Sequence, residues 1–378
     1  MHIAAASAPG ATHINTGQPG KTNNQDALVV HRFGETTITV LCDGCGSQPH
    51  SATGADIGAY IIAQVIWQQL QRTSPSAALA WRDILGQTLQ NLSAAVQPFV
   101  VSLNGSSKAA FEQAVIERFL FTAVVAVMRN DIAEIATFGD GVVILDDDVI
   151  VLDPPIVDTP PYLGYLLLNN SAYHSPDLRE HLAFQEIKQI NLRDLDKGLI
   201  VGTDGLKDLL HEDLHHPALV QPKALQRWLN VQTTERIHEG SFVGGKCRDD
   251  VSLVLVRTEE AQEKLLESRR EVAELKQKIS RLDLDICLLR EDLKRTSVGK
   301  QAAEERLESL QTEFAVTAHQ ARKAELFEKE LVTLRGRIAS LRQDPDPPAG
   351  ALSYAVDSFL QVFFPRSHPR IKLKLKKK

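Results

Sequence analysis

The stretch Thr36-Thr37-Ile38-Thr39-Val40-Leu41-Cys42-Asp43-Gly44-Cys45-Gly46-Ser47 decides the fold of this chain. A β-branched, apolar run reads as a buried strand, and here it stops abruptly at an acid followed by glycines. The same sign recurs downstream. Ala133-Glu134-Ile135-Ala136-Thr137-Phe138 runs into Gly139-Asp140-Gly141, Leu199-Ile200-Val201-Gly202-Thr203 runs into Asp204-Gly205, and the loop Gly244–Arg248 leads through Asp249 into Val251–Val256. With Asp26 just ahead of Ala27, five aspartates stand at strand boundaries. Carboxylates so placed, beside glycines that admit close backbone approach, are how a sheet protein gathers hard oxygen ligands around divalent cations.

Outward from that strand, Ala27–Phe33 and Thr36–Leu41 read as a pair joined at Gly34. Helical periodicity follows over Ala52–Gln71, over Ser76–Val101 with a break expected at Pro98, and over Ala109–Phe119. Phe121–Met128, Ile132–Phe138 and Val142–Leu145 read as three strands. From Asp146 to His181 the pattern fades into a Pro-punctuated insertion, a candidate substrate-selecting flap. Strands resume at Gln185–Asn191 and Gly198–Gly202, a helix is expected from Leu206, and Val251–Val256 is the last strand. Runs of strands with helices gathered between them imply a layered sandwich of helices and sheets rather than a doubly wound sheet.

A chain of 378 residues exceeds one average core, and its 43% hydrophobic and 24% charged residues are those of a globular protein. A net charge of -6 gives no reason to expect a nucleic-acid partner. The four cysteines are too few and too scattered for a disulfide framework, which points to a reducing, cytoplasmic setting. Cys42-Asp43-Gly44-Cys45 fits C-x-x-C, but no second cysteine pair or paired histidines accompany it, so a redox or zinc site is the weaker reading. No signal-peptide pattern opens the chain, and no apolar run is long enough to span a bilayer.

Composition shifts after Arg257 to Glu, Lys, Arg, Leu and Gln. Val272, Leu275, Ile279, Leu282, Ile286, Leu289 and Leu293 fill a and d positions of a heptad repeat, and Leu307, Leu310 and Phe314 continue it. The frame slips near Ala321–Ala324, and Leu331, Leu334, Ile338 and Leu341 resume a seam. Thr296–Lys300, with Gly299, interrupts the repeat. The unchanged register beyond it favours a continuous intermolecular coiled coil, hence a homo-oligomer or a bound partner, over a helical hairpin folded near Gly299. Asp344-Pro345-Asp346-Pro347-Pro348 ends the helix; Tyr354–Phe364 and the basic Arg370–Lys378 follow, a pairing suited to an anionic membrane surface or to a solvated tail. Three units are expected: 1–257 catalytic, 258–343 coiled coil, and 344–378 tail.

In order, Asn24-Gln25-Asp26-Ala27, Cys42-Asp43-Gly44-Cys45-Gly46-Ser47, Phe138-Gly139-Asp140-Gly141, Thr203-Asp204-Gly205-Leu206 and Asp249-Asp250-Val251-Ser252-Leu253 resemble the motifs of the metal-dependent serine/threonine protein phosphatases of type 2C. The resemblance spans roughly residues 8–257. It implies an α+β fold, a four-layer α-β-β-α sandwich of two mostly antiparallel sheets, followed here by the long coiled-coil helix. It also implies hydrolysis of phosphoserine or phosphothreonine in a phosphoprotein, two or three Mn²⁺ or Mg²⁺ ions, and opposition to a Ser/Thr kinase. By resemblance, Asp43 bridges two ions, Gly44 lends its carbonyl, Asp204 and Asp249 complete the ligands, Asp26 acts through water, and Asp140 with Asp204 lines a third position.

Four departures from the family pattern stand out, the first three bearing on phosphate binding and proton transfer. Lys21 stands where the family has a phosphate-binding Arg and cannot clamp phosphate bidentately. Gln25 replaces a Glu, as in a bacterial branch carrying Gly-x-x-His upstream, here Gly10-Ala11-Thr12-His13; His13 is thereby a phosphate contact or proton donor. Cys45 stands where many eukaryotic members place a general-acid His, leaving bound water, His13 or His50 to protonate the leaving group. Asp250 replaces the usual Asn, so Asp249 and Asp250 compete for one ligand role. The competing function is a pseudophosphatase, a metal-binding recognition module on a coiled-coil scaffold.

Overall fold

The computed structural model describes residues 1–14, 24–74, 77–102, 107–154, 160–168, 176–238, 241–244, 247–295 and 304–319. It divides into two compact units, Met1–Gln262 and Glu263–Lys378.

The first unit holds two five-stranded antiparallel sheets. One is built from β2 (Ala27–Phe33), β3 (Thr36–Gly44), β4 (Phe121–Arg129), β5 (Ile132–Phe138) and β8 (Gln185–Asn191), paired in that order. The other runs β1 (His2–Ala8), β12 (Val251–Arg257), β9 (Leu199–Gly202), β6 (Gly141–Leu145) and β7 (Asp148–Leu152). A separate hairpin pairs β10 (Glu235–His238) with β11 (Ser241–Gly244).

Alternation along the central strands fixes the layers. In β4, Ala123, Val125 and Val127 pack with α2 (Ser51–Arg72), α3 (Trp81–Ser102) and α4 (Lys108–Arg118), while Val124, Ala126 and Met128 face the second sheet. In β12, Val254 and Val256 face the first sheet, whereas Leu253 and Leu255 lie under α6 (Pro222–Thr233). Two helix–sheet cores and one sheet–sheet core thus make the four-layer α-β-β-α sandwich of the α+β class.

Local expectations hold for most of these elements and fail for identifiable reasons at others. β1 and α6 go unread because Ala4, Ala5, Ala6 and Ala8 carry little strand propensity, and Pro222 opens its helix from the N1 side. β7 lies in the stretch read as loop, an edge strand with Val149 and Val151 exposed. The segment from Asp204 is a short 3₁₀ turn to Leu209, not the start of a long helix. α3 runs unbroken through Pro98: Val96 and Val100, buried on either side, hold the helix against the roughly 3 kcal/mol an interior proline costs.

In the second unit, α7 (Glu259–Arg295) continues from the first and a further helix, α8, occupies 304–319. Lys278 Nζ of α7 lies 3.1 Å from Glu313 Oε1 of α8. A single straight helix would separate those residues by roughly 50 Å at about 1.5 Å per residue. The two segments therefore lie side by side, a hairpin rather than the expected continuous rod. Leu282 and Ile286, one turn apart, and Thr317 are buried in this unit. The seam residues Leu331–Leu341, the Pro-rich break and the basic tail lie outside the described residues.

Candidate active site

Antiparallel pairing explains why acids so distant in sequence meet. Ala27 pairs Cys42, so the start of β2 and the end of β3 coincide; Gly202 pairs both Val142 and Leu253, so the end of β9 meets the starts of β6 and β12. Asp26, Asp43, Asp140, Asp204 and Asp249 therefore gather at one end of the two sheets. Asp26 and Asp140 are buried, Asp43 and Asp204 half-buried, and Asp249 lies at the mouth with 57% of its side chain exposed.

These carboxylates feel one another. Asp43 is held well above the ordinary carboxylate range by burial and then by Asp204, Asp26, Asp249 and Asp140. Burial, followed by Asp250, raises Asp26; burial, followed by Asp140 and Asp249, pushes Asp204 up to about 7. Burial also raises Asp140, against which the Lys207 ammonium works, and partial desolvation raises Asp249. Acids placed so that they disfavour each other's charge are stabilised by a cation between them.

The hydrogen bonds separate framework from free ligand. Asp26 Oδ2 accepts from Thr203 Oγ1 at 2.8 Å, and Thr203 Oγ1 in turn accepts from Ser252 N at 3.0 Å, which ties β2 to β12. Asp250 accepts from Gly10 N at 2.8 Å and from Gln25 N at 2.5 Å, and its Oδ2 lies 2.8 Å from His13 Nδ1. Its carboxylate thus binds three segments together, whereas Asp249 lies at the mouth and its Oδ1 accepts from Asp250 N at 2.9 Å. His13 Nε2 stands 3.9 Å from Asp249 Oδ1. Close approach makes this possible: a Cβ on Gly10 would lie 2.3 Å from the Asp249 carbonyl oxygen, and one on Gly205 2.1 Å from that of Asp250.

Asp26 Oδ1, Asp140 Oδ1 and Asp204 Oδ1 are buried with no hydrogen-bond partner. Orphaned anionic oxygens in one cluster fit hard divalent cations. Among the described residues no three His, Cys, Asp or Glu side chains form a group that could hold a metal ion.

Sulfur has no part in this. Cys42, Cys45 and Cys247 are free and buried; burial and the neighbouring acids push the Cys42 and Cys247 thiols up, away from the reactive thiolate. Of the remaining expected site residues, Gly44 closes β3 beside Asp43, His50 is exposed at the start of α2 with Glu117 feeling its charge, and Lys21 lies outside the described residues. Thr203 escapes sequence reading as a site residue, although its place before Asp204 carried a signal.

The chain is thus a sandwich of two antiparallel sheets with a carboxylate cluster at one end. The Protein phosphatase 2C family profile matches residues 9–239, more than half of the chain, and the chain belongs to that family, a protein serine/threonine phosphatase. The family as a whole is metal-dependent. Among solved structures, the chain is similar to the serine/threonine phosphatase Stp1 from Staphylococcus aureus at 14% identity and TM-score 0.36, over 68% of this chain and 96% of that one. It is similar to the S. agalactiae serine/threonine phosphatase at 14% identity and TM-score 0.36, over 68% and 99%. For the Mycobacterium tuberculosis phosphatase PstP/Ppp the figures are 13%, TM-score 0.32, and 67% and 96%. Comparison with curated proteins gives no match.

Proposed function

We propose that Asp43, Asp204 and Asp249, with the Gly44 carbonyl and with Asp26 acting through water, hold two Mn²⁺ or Mg²⁺ ions, and that Asp140 with Asp204 lines a third position. The observation that supports this best is the set of buried, unpartnered oxygens on Asp26, Asp140 and Asp204. Bound there, such ions supply a nucleophilic water at neutral pH and neutralise the phosphoryl oxygens.

The chain's own residues do the rest. Thr203 fixes Asp26 by donating to Oδ2, which leaves Oδ1 to face the cluster. Asp250 clamps the segment bearing Asp249 against Gly10 and Gln25, and His13 lies against both acids, poised to orient Asp249 and to exchange a proton with phosphate. Lys207, paired with Asp153 at 3.1 Å, favours ionised Asp140 and Asp204. Lys21 is assigned to the phosphate as a point charge.

The substrate is a phosphoserine or phosphothreonine protein, with a Ser/Thr kinase as the opposing activity. The helical region after Gln262 is assigned to oligomerisation or partner targeting. The free buried cysteines suit the cytoplasm, and no described helix is long and apolar enough to cross a membrane. The test is Mn²⁺-dependent phosphate release from phosphopeptides by the full chain beside Asp43→Ala and Asp204→Ala. The reading expects turnover abolished in both variants; turnover without metal, or undiminished in the variants, overturns it.

A further inference from the structure

The helical hairpin leaves one face of α7 uncovered. Its first heptad seam is taken up within the hairpin: Leu275, Ile279 and Leu289 are half-buried, and Leu282 and Ile286 are buried. At about 100° per residue, Leu284 and Leu288 fall on the opposite side of the helix. These two leucines, one turn apart, are 61% and 53% exposed. Arg281 precedes them and Glu291 follows, both exposed. Positions 281, 284, 288 and 291 are spaced as the a and d positions of a second heptad seam.

The charges around these leucines select what covers them. The four positions are symmetric about residue 286. In an antiparallel pair of helices a and d positions share layers, so Leu284 of one copy would meet Leu288 of the other, and Arg281 would meet Glu291. Two-fold symmetry repeats each contact, which gives two leucine layers at the centre and an Arg–Glu layer at either end. A parallel pair would set Arg281 against Arg281 and Glu291 against Glu291, and like charges so placed oppose association. The pattern is self-complementary in one direction only.

We infer that this face of α7 is a self-association surface, on which a second copy of the chain docks antiparallel through Arg281, Leu284, Leu288 and Glu291. The inference rests on the assignment of the helical region to oligomerisation and supplies its face, its partner and its direction. The hairpin itself is kept, because the buried side of α7 is not the side that docks. The two copies therefore associate without exchanging helices.

The test is sedimentation equilibrium of the full chain, whose parent form is expected to be a reversible dimer. Leu284→Ala with Leu288→Ala keeps helix propensity and changes only exposed positions; it raises the dimer dissociation constant by at least about tenfold. Arg281→Glu alone, or Glu291→Arg alone, puts like charges into two layers and raises the constant by at least about tenfold as well. Combined, the two swaps restore opposite charges and bring it back to within about threefold of the parent. In a parallel dimer the combination would restore nothing. Helical circular dichroism, expected to be unchanged in every variant, is the check on the fold. A dimer that the leucine pair leaves intact, or a double swap no tighter than the single ones, overturns the inference and leaves oligomerisation standing. A parent that stays monomeric at every concentration fails the oligomerisation assignment itself, and the inference with it.

Discussion

Replacing Asp250 and Asp249 in turn separates a framework acid from a ligand acid. Asp250→Ala orphans two buried backbone donors, Gly10 N–H and Gln25 N–H, and takes the carboxylate from His13. Each unsatisfied buried donor costs about 1–3 kcal/mol, and neighbouring losses do not add fully, so the total is about 3–5 kcal/mol. For a unit of this size 1 kcal/mol moves the melting temperature by about 2–4 °C, so the drop is roughly 6–20 °C. Asp249→Ala removes a side chain that is 57% exposed and the acceptor of Asp250 N–H, and its effect on metal-free stability is about 1 kcal/mol. The assay is thermal unfolding in EDTA followed by tryptophan fluorescence. All three tryptophans, Trp67, Trp81 and Trp228, lie in the first unit, so the signal reports the site-bearing unit alone. A second measurement, Mn²⁺ titration by calorimetry, should show binding lost in Asp249→Ala. A drop under about 3 °C for Asp250→Ala, or an equal drop for Asp249→Ala, refutes the division of labour.

Raised carboxylates make metal-free stability fall as pH rises: between about pH 4 and about 7 the folded state keeps protons that the unfolded chain has released. Asp204 alone, raised to about 7, contributes a decline on the order of 2–4 kcal/mol across that window. Urea midpoints in EDTA should therefore be lower at pH 8 than at pH 5, and saturating Mn²⁺ should remove the difference; a higher midpoint at pH 8 without metal contradicts the cluster's electrostatics. For the second unit, spin labels at Lys278→Cys and Glu313→Cys in a Cys287→Ser background should report a separation below about 25 Å, since packed helices lie about 8–10 Å apart. A distance near 50 Å would restore the continuous rod.

Much of the scaffold was legible because buried strands announce themselves. Phe121–Met128 carries apolar residues on both faces and Thr36–Val40 is β-branched throughout, and the acids that end or follow such runs were visible for the same reason. What escaped were elements whose stability comes from neighbours. β1 is alanine-rich and exists because β12 pairs with it from His2↔Arg257 to Ala8↔Val251, and α3 survives Pro98 through its buried flanks. The heptad pattern marked helices that need a partner surface, but the pattern is the same whether that surface is another chain or the next helix. The Lys278–Glu313 pair brings α7 beside α8.

The order of five acid-bearing turns on apolar strands is a local signal that needs no knowledge of contacts, and it was enough to point to the phosphatase family. The different surroundings of neighbouring acids come from tertiary pairing. Asp249 and Asp250 are adjacent and identical in kind, and they part because antiparallel pairing brings Gly10 and Gln25 to one of them and leaves the other at the mouth.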